Sequence, residues 1–270
     1  MNKIELARLD FLISAFHSGF FHSTENVLSW MKKKNSEVFS DISQVPIMDL
    51  KDWDFSNDRI SHKSGKFFSI DGIRVKTNYG LVKDWEQPII NQPEIGFLGF
   101  IVKKINGVLH FLLQAKIEPG NLNIVQLSPT LQATRSNYMR VHQGSSPKYL
   151  EYFTGEKKVE VLIDQLQSEQ GARFLQKRNR NIIVEISEDE DLPVYDNFVW
   201  LTLRQIKELL RSPNVVNMDT RTVISCIQFG SYKDVDLRFL IAFRKLLDIN
   251  VDRTSSFLVS VLNEENHLHD

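Results

Sequence analysis

Cysteine is almost missing from this chain: Cys226 is the sole example among 270 residues. One thiol cannot close an internal disulfide or build a cysteine-rich metal knuckle. Net charge is equally scant. Lys and Arg number 33 against 34 Asp and Glu, a formal −1, so no overall basic field draws nucleic acid to the surface. Long apolar runs are lacking too. IGFLGFIV at 95–102 is the longest, far short of the ~20 residues that span a bilayer. MNKIELARLD carries early acids and lacks the apolar core of a secretory signal. The P-loop, the dinucleotide fingerprint, the Gly-x-Ser-x-Gly elbow and His-Glu-x-x-His are all absent. These absences predict a soluble cytoplasmic protein with no nucleic-acid or membrane partner.

What remains is ordinary globular composition, 42% hydrophobic and 25% charged. Apolar residues recur at helical spacing over 3–17, and a second helix is expected over 24–34 with Thr24 as its cap. Strands begin near residue 59. A hairpin is predicted around Asp71-Gly72 and a clearer one around Asn106-Gly107, since Asn-Gly supplies the positive φ angles of a two-residue turn. NIVQL at 123–127 reads as a strand, and 159–174 as a helix stopped by Gly171. Residues 181–186 form a buried strand. A strand passes into a helix over 198–212, with Thr202 as cap. The acidic run at 187–193 reads as a solvated loop and the tail 218–263 as mostly helical. Strands in the middle with helices among and beside them give a mixed α/β or α+β class, and α+β is the expectation.

One region has a chemistry that secondary structure does not require. QLSPTLQATRSNY at 126–138 concentrates neutral amides around a single guanidinium: Gln126, Gln132, Arg135, Asn137 and then Tyr138. Just upstream, Gln114, Lys116 and Glu118 alternate on one face of a strand before the turn that holds Asn121. Amides suit uncharged partners rich in donors and acceptors, such as sugar hydroxyls or a pyrimidine edge. One Arg offers a bidentate anion contact. A basic run follows at 177–181, where Lys177, Arg178 and Arg180 either hold a diphosphate or form a solvated turn. Of the seven histidines, His110 lies in an apolar hairpin strand and reads as structural, whereas His62 and His142 adjoin polar, glycine-containing loops.

QAKIEPGN, VQLSPTLQATRSNY, QSEQGARFLQKRNRN, WLTLRQIKELL and NMDTRTV occur in that order, after ISHKSGKFFSIDG and DWEQPIINQPEIGFLG. Together they make residues 50–226 similar to the nucleotide-sugar 2,3-dehydratase family. The resemblance implies a Nudix-like mixed sheet flanked by helices. It implies a module over 49–232 with helical extensions at 1–48 and 233–270. The implied substrate is dTDP-4-keto-6-deoxyglucose or a close relative, with no redox cofactor and no metal. With Gly171 as the glycine of a Nudix box, 164–172 keeps only one of three metal-holding carboxylates, Glu169, because Gln165 and Ser168 replace the others. Family members contain two such modules, and one copy of the motifs occurs here, so the chain is either an active dehydratase or a single nucleotide-sugar-binding module.

The implied reaction removes the carbon-3 proton beside the ketone and expels the carbon-2 hydroxyl as water. Glu118 or His142 is the candidate base and Tyr138 the candidate acid. Arg135, Asn137 and Lys116 would stabilise the enolate or grip the diphosphate, and Gln114, Asn121, Gln126 and Gln132 would contact the ligand. Trp85, beside Gln87 in DWEQP, either stacks on thymine or packs the sheet. A homodimer and a downstream ketoreductase complete the expectation.

Overall fold

In the computed structural model the described residues are 3–56, 58–134 and 146–229. The two N-terminal helices, α1 (Lys3–Phe16) and α2 (Thr24–Glu37), precede two sheets. The first sheet is an antiparallel meander of β1 (Trp53–Phe55), β2 (Arg59–His62), β3 (Ser69–Lys76) and β4 (Asp84–Asn91). The second has seven strands: β5 (Gly96–Ile105), β6 (Val108–Ile117), β7 (Val125–Ser128), β8 (Leu131–Ala133), β9 (Glu160–Ser168), β10 (Arg178–Glu185) and β11 (Phe198–Thr202). Short helices α3 (Glu151–Thr154), α4 (Leu203–Leu209) and α5 (Met218–Ser225) complete the described chain. This is a mixed α+β architecture, because β10 runs parallel to β5 while the other pairings are antiparallel.

The second sheet has a fork that shapes everything near it. Asn106 and Gly107 take φ of 50° and 77°, turning β5 into β6 as the Asn-Gly pair predicts. The two strands pair only from Val102–Phe111 to the turn. Beyond that they diverge. The far half of β6 pairs with β7, and the far half of β5 pairs with β8. Thr130 sits at the fork, where its hydroxyl accepts from the Ile101 amide at 2.9 Å and donates to the Leu112 carbonyl. One side chain thereby satisfies two backbone groups left open by the split.

The core follows from alternation on these strands. Phe100, Phe111, Leu112, Leu113, Ile183 and Leu201 are fully buried. Helix α1 covers β6, with Phe11 against Phe111 at 6.2 Å between ring centroids. Ser14 donates to the Leu109 carbonyl at 2.6 Å and accepts from the Leu203 amide at 2.8 Å. Asn35 of α2 pairs with both backbone groups of Val125, acting as a strand partner for the end of β7.

Four local expectations change. The segment 159–174 is not a helix: β9 occupies Glu160–Ser168, and Gly171 does not adopt a positive φ. Val159, Val161 and Ile163 place β-branched residues at alternate positions, a strand signal that outweighed the helical spacing. The box frame over 164–172 therefore lacks the helix it requires. Asp71-Gly72 is no turn but the middle of β3, where Asp71 accepts from Ser69 at 2.8 Å and Asn91 at 2.7 Å. The chain instead reverses between β3 and β4, with Gly80 at φ 78°. Ser23, not Thr24, caps α2, while Thr24 bonds Glu208. Within the acidic run, Glu190 accepts from the Tyr152 hydroxyl at 2.8 Å and Leu192 is buried, so that loop is tied down. Thr202 caps α4 in a reciprocal box with Gln205, as expected. Of the helical tail, α5 is observed and the remainder from 230 lies outside the described residues.

Candidate functional site

A cleft of about 610 Å³ opens in the fork. Phe97 and Leu98 of β5 form one side, and Lys116 with Glu118 at the end of β6 form the other. Gln132, Ala133 and Thr134, on and just after β8, line it between them. Residues 169–177, which connect β9 to β10, supply a further wall through Glu169, Gln170, Arg173, Phe174 and Lys177. This loop is held to the first sheet by bonds between Ile90 and the Arg173 and Leu175 backbones, both 2.8 Å. Helix α5 completes the cleft with Met218 and Asp219.

Glu118 is the best-anchored carboxylate in this space. Its Oε1 accepts from Gln132 Nε2 at 2.6 Å and meets Lys116 Nζ at 3.2 Å. Gln132 is oriented in turn by Asn217, whose Nδ2 donates to Gln132 Oε1 at 3.0 Å. Asn217 is the N-cap of α5, accepting from the Thr220 amide at 2.9 Å. The segment leading into that helix lies along β7: the Leu127 amide donates to the Val215 carbonyl at 2.8 Å, and the Leu127 carbonyl accepts from the Asn217 amide at 2.9 Å and the Thr220 hydroxyl at 3.1 Å. A helix cap, two amides and an ion pair thus fix where Glu118 points. No bond engages its Oε2 among the described residues.

Two other carboxylates face the same cleft. Glu169 accepts from Asn179 Nδ2. Asp219, half-buried in the first turn of α5, takes no hydrogen bond among the described residues. Burial, then the charges of Glu118 and Glu169, push its carboxyl up to about 6, against the opposing pull of Lys116. Lys177 is 4% exposed and donates to the Glu94 carbonyl. Burial draws its ammonium below the usual lysine range, opposed by the charges of Glu94 and Glu169.

Of the residues singled out from sequence, Lys116, Glu118, Gln132 and Lys177 come together here. Gln114 and Gln126 share the sheet face of Lys116 by register, yet they do not line the cleft. Asn121 holds its own turn by donating to the Ile124 carbonyl. Arg178 borders a second hollow on the other side of the connecting loop. Arg180 is locked to Asp164 through two bonds of 2.7 and 2.6 Å. Trp85 lies on β4 of the first sheet, bonded to Gln87, which itself donates to the Ala172 carbonyl. His62 stabilises its own turn through Ser64, and His110 is buried in β6. Arg135, Asn137, Tyr138 and His142 lie outside the described residues.

Sequence reasoning missed Asp219, Asn217 and Asn179. Asn-x-Asp before an apolar helical face announces a cap and a first-turn acid, which is read as dipole chemistry. Nothing in that pattern says the acid faces a cleft.

Among solved structures, a C. elegans Ap4A hydrolase covers 50% of this chain and 95% of its own at 12% identity, with a TM-score of only 0.30. Curated relatives are far nearer. The dTDP-4-dehydro-6-deoxy-α-D-glucopyranose 2,3-dehydratase of Saccharopolyspora spinosa is 52% identical over 202 residues, 74% of this chain and 41% of the relative. The protein of the same name from Amycolatopsis orientalis is 43% identical over 243 residues, 87% of this chain and 50% of the relative. The chain thus spans about half the length of the curated relatives it matches. At the family level, residues 24–227 match NDP-hexose 2,3-dehydratase. That match takes in both sheets, the fork and all three cleft carboxylates, and the chain belongs to the NDP-hexose 2,3-dehydratase family.

Proposed function

We propose that this chain is a lyase that removes water across carbons 2 and 3 of dTDP-4-keto-6-deoxyglucose in deoxysugar biosynthesis. The observation that carries this reading is the gathering of Glu118, Lys116 and Gln132 with two further carboxylates in one cleft. Glu118 takes the carbon-3 proton, which the neighbouring ketone acidifies. Gln132 and Lys116 hold its Oε1 and leave Oε2 for the substrate. The Lys116 ammonium, beside the base, stabilises negative charge as it passes to the enolate. Asn179, Gln170 and Gln92 offer amides to sugar hydroxyls. The enol product tautomerises to a 3,4-diketone, an internal redistribution that consumes no redox equivalent.

Arg135, Asn137, Tyr138 and His142 are assigned to the same ligand. Arg135→Ala is expected to weaken nucleotide-sugar binding by about 1.5–3 kcal/mol, the worth of a charge-assisted bond, as read by calorimetry. We take 49–232 as the ligand-binding module and 1–48 and 233–270 as its extensions. The protein is assigned to the cytoplasm as a homodimer, with a ketoreductase consuming the unstable diketone.

The test is incubation of the purified chain with dTDP-4-keto-6-deoxyglucose and a trapping ketoreductase in deuterated water. Expected are the reduced 2-deoxy product and deuterium at carbon 3 of recovered substrate. Neither product nor label would overturn the catalytic reading. Because the chain spans half of its relatives' length, the second reading is a nucleotide-sugar-binding module without turnover, recognised by tight binding with no exchange.

A further inference from the structure

The dehydration needs a proton for the departing hydroxyl as well as a base. The three cleft carboxylates differ in a way that sorts these roles. Glu118 accepts a hydrogen bond from Gln132 and pairs with Lys116, and Glu169 accepts a hydrogen bond from Asn179. Asp219 has neither among the described residues, and it faces the charges of both others. Among the described residues, the charged groups lining the cleft with it are Lys116 on β6, Glu118 just after that strand, and Glu169, Arg173 and Lys177 from the loop between β9 and β10. Of the three carboxylates that line this cleft among the described residues, Asp219 is the one that no donor engages.

We infer that Asp219 is the catalytic acid of this site, delivering its proton to the carbon-2 hydroxyl as Glu118 takes the proton from carbon 3. This rests on the dehydratase reading above. The electron pair of the C3–H bond passes through the enolate to form the C2–C3 double bond. The C2–O bond breaks, and the hydroxyl leaves as water with the Asp219 proton. Glu118, now protonated, returns its proton to Asp219 through solvent in the cleft, so the cycle closes without another reactant. The upward displacement of the Asp219 carboxyl to about 6 accords with that role.

The test compares the wild-type chain with Asp219→Asn on two substrates, the natural keto sugar and its 2-deoxy-2-fluoro analogue. Fluoride departs without being protonated. Asp219→Asn is expected to lower water elimination by about 10²-fold or more. It should still exchange deuterium into carbon 3, and it should release fluoride at close to the wild-type rate. An equal loss with both substrates, or loss of carbon-3 exchange, overturns the acid role and makes Asp219 structural or part of the base. Elimination of water at the wild-type rate overturns it as well. A wild-type chain that neither exchanges deuterium nor releases fluoride overturns the dehydratase reading itself. Circular dichroism of the variant establishes that it is folded before rates are compared.

Discussion

Glu118 and Asp219 are both carboxylates in one cleft, and their neighbours differ: Glu118 meets Gln132 and Lys116, whereas Asp219 has no donor among the described residues. Glu118→Gln keeps the shape of the side chain but cannot accept a proton in the same way. Carbon-3 exchange should fall by about 10²–10⁴-fold, measured by mass spectrometry of recovered substrate. Asp219 also makes a prediction about stability. Its folded-state carboxyl is raised to about 6 from an ordinary 3.8. The stability linked to its proton is therefore fully present below 3.8 and is lost as pH rises through about 6. Asp219→Asn never acquires the charge, so its Tm should exceed that of the wild type above pH 6 and approach it near pH 4. Residue type announced Glu118, because it alternates with Gln114 and Lys116 ahead of a turn. It could not announce Asp219, whose meaning depends on two carboxylates 101 and 50 positions away in sequence.

At the scale of elements, the fork between β5 and β6 is the feature that matters. Its two arms must separate for the cleft to exist, and separation exposes ladder groups that Thr130 satisfies. Thr130→Val fits the same volume but leaves the Ile101 amide and the Leu112 carbonyl unpaired. The expected loss is about 2–6 kcal/mol in denaturant unfolding, from two buried groups at about 1–3 kcal/mol each. Thr130→Ser keeps the hydroxyl and should lose much less. The Asn106-Gly107 hairpin was legible because turn chemistry is local. The splaying was not, since it depends on β7 and β8 arriving from later in the chain. The strand at 160–168 was misread for a related reason. Leu162, Leu166 and neighbouring apolar residues also fit a helical stripe, and only pairing with β10 along most of its length decides the matter. Aspartate before glycine at 71–72 looked like a turn until Asn91 and Ser69 fixed the carboxylate in a strand.

The whole molecule joins its N-terminal helices to the sheet through polar contacts as well as apolar ones, and one of these regions is sensitive to acid. His110 is buried on β6 against Phe20 and Phe21, with Nδ1 donating to the Val108 carbonyl at 2.8 Å. Burial lowers its pKa, the carbonyl bond opposes this, and His17 nearby adds to the lowering. The folded state therefore keeps the ring neutral, and stability present above about 6.5 falls as pH drops and the unfolded chain takes up the proton. Asp219 acts in the opposite direction between pH 6 and 4. Each contribution is read by subtracting wild type from variant: His110→Leu should flatten the fall in Tm between pH 7 and 5. The α+β class, the early helices and the paired apolar strands were all readable from composition and spacing. The attachment of the first sheet through residues 173–175 was not, because backbone bonds to Ile90 carry no side-chain signature.

Asn217 lends the site a sense of direction. Its oxygen serves the helix and its nitrogen serves Gln132, so the amides form a one-way relay from Asn217 to Glu118. Aspartate is an equally good cap, but it has no hydrogen to give. In Asn217→Asp, Gln132 would have to turn over to greet a carboxylate, presenting an oxygen where Glu118 needs a donor. Such a protein should melt at nearly the wild-type temperature while its carbon-3 exchange collapses, a polarity reversal visible only to the substrate.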